Sequence, residues 1–265
     1  MNQTDEAEEY RSSLCAELGR LADSAKSSDE LSYLFSLLGV NSGAEDAGWQ
    51  PIGETEVVIR DLTALINGPI RSDTAMRLVL FLYCHIIEAN YIYHCVFNLL
   101  RAVEGKPPTI FSFLEKYRKG APPTLNSKLK EIEDLCVRVE FTDLFDSIME
   151  IQRPDIRNAF FHSDYIIFND QVRLKHRGSQ IKRIDYDEIV RLLEKALTFF
   201  HSFRQLQLER LSSYEDGQKI DGRVGPDGQR LAAIEVIVRD GIASGFRSSD
   251  PFPFWPDQGN SESPT

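Results

Sequence analysis

Arg157 and His162 are the residues whose types and spacing point most directly to chemistry. They lie in the stretch Arg153-Pro-Asp-Ile-Arg-Asn-Ala-Phe-Phe-His162, with four residues between them. Arg157 is a permanent cation whose planar fork of donors matches a phosphate. His162 can give or take a proton near neutral pH. A base at a ribose 2′-OH, an acid at the leaving 5′-oxygen and donors on the charged phosphorane suffice to cleave RNA without a metal. The products would be a cyclic phosphate and a 5′-hydroxyl. Structural roles compete for the same residues: Arg157 can pair with Asp155 or Asp164, and His162 can cap a helix end. Asn158 and His162 are four apart and share a helix face, so Asn158 can fix the imidazole. Arg157 and His162 are five apart, about 140° around an ideal helix. They converge only if the helix ends near Phe160 or if a dimer brings two copies together.

Glu88 sits in the otherwise apolar run Cys84-His-Ile-Ile-Glu-Ala-Asn-Tyr-Ile-Tyr-His94. A buried carboxylate must be paired or perturbed, so Glu88 can orient His162 or Arg157, or pair with another basic residue at the bundle edge. His85 and Glu88 form half a metal site, and His94 falls on the opposite face, so no metal and no cofactor are expected. Arg173, Lys175, His176, Arg177, Lys182 and Arg183 fall in a stretch from Gln171 to Arg183 that has no carboxylate. Such a basic hairpin can steer an RNA backbone toward the motif, or it can be a solvated counterweight to the acidic N-terminus.

Helices must position these groups. Tyr10, Leu14, Leu18 and Leu21 predict a helix over 5–25, and further helices are predicted over 29–38 and 54–66. The spacing predicts one long helix from Thr74 to Val103, apolar over most of its circumference and therefore central. A short helix is expected over 110–119 and another over 126–139, then one from Thr142 leading into Arg157. Asn169-Asp170 between β-prone runs predicts a hairpin, with a little more strand over 181–184. Asp185 opens a final helix striped by Ile189, Leu193, Ala196, Phe200 and Phe203. Beyond Ser212 the composition predicts a linker over 215–228, an isolated helix over 231–242 and a mobile Ser/Pro-rich tail over 248–265, with an aromatic run of Phe246, Phe252, Phe254 and Trp255. The expected division is an N-terminal helical addition (1–68), a helical bundle (69–212) and a C-terminal extension (213–265), all-α apart from the hairpin.

The net charge of -11 argues against non-specific coating of nucleic acid but permits one local basic site. Cys15, Cys84, Cys95 and Cys136 lack metal-type spacing and read as reduced thiols of a cytoplasmic protein. No apolar run predicts a membrane span.

Ile156-Arg-Asn-Ala-Phe-Phe-His-Ser-Asp-Tyr165, with the hairpin and amphipathic helix after it, resembles the HEPN family over roughly residues 73–211. The motif is Arg, four to six residues, then His, with Asn often following the Arg; here these are Arg157, Asn158 and His162. The resemblance implies a four-helix bundle, usually a homodimer, with Arg and His of both subunits facing one cleft. It implies a metal-independent endoribonuclease of antiviral defence, toxin–antitoxin or RNA-processing systems, with RNA and an antitoxin or defence partner. Other members are catalytically silent binding modules. Glu88 matches the acidic residue that some members use from an earlier core helix. The Tyr found two residues after His in some members is Asp164 here, with Tyr165 next.

Overall fold

The computed structural model describes residues 3–39, 51–109, 124–175, 180–224 and 230–248. Helix α1 (Gln3–Ser28) is followed by α2 (Glu30–Leu38), α3 (Pro51–Ile66), α4 (Ser72–Ile87), α5 (Asn90–Val103), α6 (Leu125–Arg138), α7 (Thr142–Met149) and α8 (Pro154–Phe161). Strands β1 (Tyr165–Phe168), β2 (Gln171–Lys175) and β3 (Ile181–Asp185) come next, then α9 (Tyr186–Leu211) and strands β4 (Lys219–Val224), β5 (Arg230–Arg239) and β6 (Ile242–Ser248). The chain is mostly helical with two three-stranded antiparallel sheets, so the all-α expectation is corrected to a helix-dominated mixed fold.

One apolar core joins the helices. Leu14, Leu18, Leu21 and Ala25 of α1 are fully buried with Leu80 of α4, Val96 and Leu99 of α5, and Phe200 and Phe203 of α9. The 3.6-residue period of α1 and α9 puts these side chains on one stripe of each helix. Asp29 caps α2 by accepting from the Ser32 backbone N–H at 2.6 Å, and Gly39 ends it at φ 63°, the left-handed cap that glycine permits.

The expected long helix over 74–103 is two helices. α4 stops at Glu88, and Ala89 (φ -64°, ψ 86°) leaves the helical region before α5 begins. The Tyr93 hydroxyl donates to the Ile87 carbonyl at 3.0 Å, serving an orphan acceptor of the broken end. Together Ser72–Val103 are apolar and long enough to cross a membrane, yet 56% of the most apolar window is buried in the core. The expected helix from Thr142 into Arg157 is also divided, into α7 and α8. Pro154 opens α8, and Arg153 before it stands outside the helical region (φ -127°, ψ 81°), from which a following proline excludes it.

Sheet β1-β2-β3 realises the predicted hairpin and the further strand expected over 181–184. Asn169 and Asp170 both have positive φ, 49° and 57°, the signature of a primed hairpin turn. Val172, Leu174 and Ile184 face the core. The second sheet corrects the C-terminal reading: β5 and the start of β6 stand where a helix over 231–242 was expected, and β4 (Lys219–Val224) lies within the expected linker over 215–228. Ile234 and Val236 are buried at the period of two that a strand requires. Asp240-Gly241 turns the chain at positive φ (53° and 77°) into β6. The sheet packs on α2: Asp29 accepts from the Arg223 N–H at 3.2 Å, and Phe246 meets Phe35 at 6.1 Å. The expected helix over 110–119 and the aromatic tail beyond Ser248 lie outside the described residues.

Candidate functional site

Two tyrosines of the core set the start of α8. Tyr83 donates from its hydroxyl to the Ile151 carbonyl at 2.8 Å and accepts from the Arg153 N–H at 3.1 Å. Tyr93 accepts from the buried Gln152 amide at 3.0 Å. The α7–α8 turn is thereby tied to both halves of the broken α4–α5 helix. A network of charges fixes α8 from the other side. Arg153 bonds Asp155 at 3.0 Å and Glu188 at 2.6 Å, and Lys182 bonds Asp155 at 2.6 Å. Burial raises the Asp155 carboxyl, but its bonds from Arg153 and Lys182 outweigh that and hold it well below the usual carboxylate range.

With Asp155 engaged there, Arg157 pairs with Glu88. Arg157 Nε donates to Glu88 Oε1 at 2.5 Å, and Nη1 donates to Asn158 Oδ1 at 3.0 Å. Its guanidinium carbon lies 5.4 Å from the centre of the Phe161 ring, four residues along the same helix. Nη2 has no partner among the described residues. The helix break is what brings Glu88 to this place, because it ends α4 beside α8. A small cleft opens here, lined by Ile87, Leu125, Asn126, Gln152, Pro154, Arg157 and Asn158.

The sequence missed Lys128. It lies on α6, buried, and donates to Asn90 Oδ1. Burial lowers its pKa, the Glu88 charge raises it and the Arg157 charge lowers it, so three charges share one neighbourhood. The available signal was a lysine between Leu125 and Ile132 on an otherwise apolar helix stripe. His94 belongs to the same region: burial, then the Lys128 charge, push its imidazole down to about 4.

His162 is exposed at the C-cap of α8, its backbone N–H bonded to the Asn158 carbonyl at 3.0 Å. The Asn158 side-chain oxygen serves Arg157 and not the imidazole. Because α8 runs to Phe161, Arg157 and His162 keep the wide angular separation of a five-residue helical step. His85 stacks on Phe81 at 6.2 Å, and its Nε2 has no partner among the described residues. Cys84, Cys95 and Cys136 are pushed up to about 12 by burial, which keeps these thiols protonated and poor nucleophiles.

The basic hairpin residues divide between two faces. Arg173 and Arg183 stand opposite each other on the solvent face, with Lys175 on the same face. Lys182 points to the other face and is bound to Asp155. Arg177 and His176 lie outside the described residues.

No protein-family model, curated protein or solved structure matches this chain, so the functional reading depends on the geometry of Arg157, Glu88, Asn158 and His162.

Proposed function

We propose that the chain is a metal-independent endoribonuclease of HEPN type that works as a homodimer. The observation that carries this reading is the setting of Arg157. Glu88 and Asn158 hold two of its nitrogens, while Nη2 remains available for a phosphate oxygen. The exposed imidazole of His162, at the end of the same helix, is the proton-transfer group. The 2′-oxygen attacks the scissile phosphorus and the bond to the 5′-oxygen breaks. One imidazole takes the 2′-OH proton and a second, protonated imidazole supplies the proton of the 5′-hydroxyl. One protomer offers a single His162, directed away from Arg157 around α8, so the site is completed by a second copy. The HEPN-like bundle and a role in defence or toxin–antitoxin systems belong to the same proposal.

Cleavage of labelled RNA in EDTA tests it, with Arg157→Ala and His162→Ala compared with the native chain. Loss of activity in both variants, with cyclic-phosphate ends in the native digest, is the expected result. Identical digests from native and variant proteins refute the assignment.

One observation favours a second reading, a catalytically silent module that binds a partner protein or nucleotide. Glu88 already neutralises Arg157, as it would in a structural pair. Saturable nucleotide binding that requires Arg157 but not His162, with no RNA cleavage, would select this reading.

A further inference from the structure

We propose that the solvent face of sheet β1-β2-β3 is a platform for single-stranded RNA. The proposal names the substrate class of the nuclease site and rests on that reading for its purpose, though its binding step can be measured separately. The register Ile166–Arg173–Arg183 runs straight across the three strands, and Phe168 lies diagonally beside Arg173. Three large apolar side chains are left in water on this face: Ile166 (57% exposed), Phe168 (48%) and Ile181 (59%). A sheet normally turns such residues inward; here the inward places are already filled by Val172, Leu174 and Ile184. The exposed ones are therefore surplus to the core.

The cations between them identify the partner. Arg173, Lys175 and Arg183 share the face with Asp185, which accepts from Gln171 at 3.0 Å, and with Asp164, whose carbonyl accepts from the Lys175 N–H at 3.0 Å at the end of the sheet. None of the three cations forms an ion pair among the described residues. Directly opposed like charges destabilise a strand pair, and Arg173 Nε is buried without a hydrogen-bond partner among the described residues. A polyanion laid along the strands offsets the opposed charges. In a chain of net charge -11 this local excess of cations is selective for such a ligand.

Phe168 decides between single and double strands. The Arg173 guanidinium lies 4.3 Å from its ring centre, an aromatic–arginine pair suited to stacking against an unpaired base. Duplex RNA hides its base faces and offers no partner for Phe168, Ile166 or Ile181. Tyr165 opens β1 three residues after His162 and stacks on Phe160 of α8 at 5.8 Å. A strand leaving the platform therefore arrives at the end of α8.

The test is fluorescence anisotropy of a labelled polyuridine oligomer of about 12 nucleotides. It uses the full chain carrying His162→Ala, in EDTA, so that binding is read without cleavage. Phe168→Ala is expected to weaken binding about tenfold. Arg173→Gln and Arg183→Gln should each weaken it and lower the salt slope by about one. A duplex of the same length should bind at least about tenfold more weakly. Phe168 is exposed, so the variant should fold, and its circular dichroism provides the check. No single-strand binding, equal binding of duplex, or indifference to Phe168→Ala overturns the proposal. A change in oligomer mass on Phe168→Ala, without a change in RNA affinity, would instead make the face a protein interface. Phe168-dependent binding without cleavage by the native chain would remove the nuclease reading and keep the platform. Cleavage unaffected by Phe168→Ala and Arg173→Gln, without platform binding, would do the reverse.

Discussion

Replacing Glu88 with Gln should loosen the α4–α5 break and α8 together. Arg157 and Glu88 retain 31% and 27% of their side-chain exposure. Exposed pairs contribute about 0.2–1 kcal/mol, whereas breaking a fully buried pair costs about 3–5 kcal/mol. This pair lies between those limits, so Glu88→Gln should cost about 2 kcal/mol. Gln keeps the shape and an acceptor for Arg157 Nε, so the loss is mainly one of charge. Buried Lys128 loses favourable charge at the same time. For a chain of this size the loss corresponds to a fall in melting temperature of about 4–8 °C. Thermal unfolding followed by circular dichroism, at low and high salt, is the assay. A half-buried pair is screened little, so the difference should survive in about 0.5 M salt. Lys128→Met should be close to neutral alone and should reduce the penalty of Glu88→Gln in a double-mutant cycle. A melting temperature within about 1 °C of native, or a difference abolished by salt, would refute the claim that Glu88 holds Arg157 in place.

The His94 imidazole, about 4 in the folded chain against about 6.5 unfolded, makes the unfolded chain bind more protons between those values. Stability is therefore full above about pH 6.5 and falls by about 3 kcal/mol as pH drops toward 4; His94→Gln should flatten urea-melt stability across that window. Asp155 is depressed in the fold, so its contribution is present above about pH 4 and fades as pH falls further. Asp155→Asn should consequently cost stability at neutral pH and less near pH 2, as read by denaturant titration at both. A Cβ on Gly222 would collide with Leu31 Cβ, so Gly222→Ala should cost about 1–3 kcal/mol by overpacking. An unchanged melt would show that β4 does not pack tightly on α2.

The sequence by itself determined what is local. The stripes of α1 and α9, the Asp29 cap with its Gly39 stop, and the Asn169-Asp170 turn follow from neighbours a few residues apart, because period and cap chemistry act over one or two turns. Two missed features were also local. Pro154 marked the start of α8, and Asp240-Gly241 between apolar runs marked a hairpin where the expected helix over 231–242 stood. Arg157, Asn158, His162 and Glu88 were legible as candidates because their types limit their chemistry. Which of the possible partners each one takes was not. Asp155 was two residues from Arg157, yet the fold gives it to Arg153 and Lys182, and Arg157 takes Glu88 across 69 positions of chain. Lys128 joins that neighbourhood only because α6 packs against α5. The break at Glu88–Ala89 carries no proline or glycine; packing of Tyr93 and Gln152 on the helix end accompanies it. Pairing of charges and breaking of an apolar helix are settled by which surfaces meet, and that is a property of the tertiary structure.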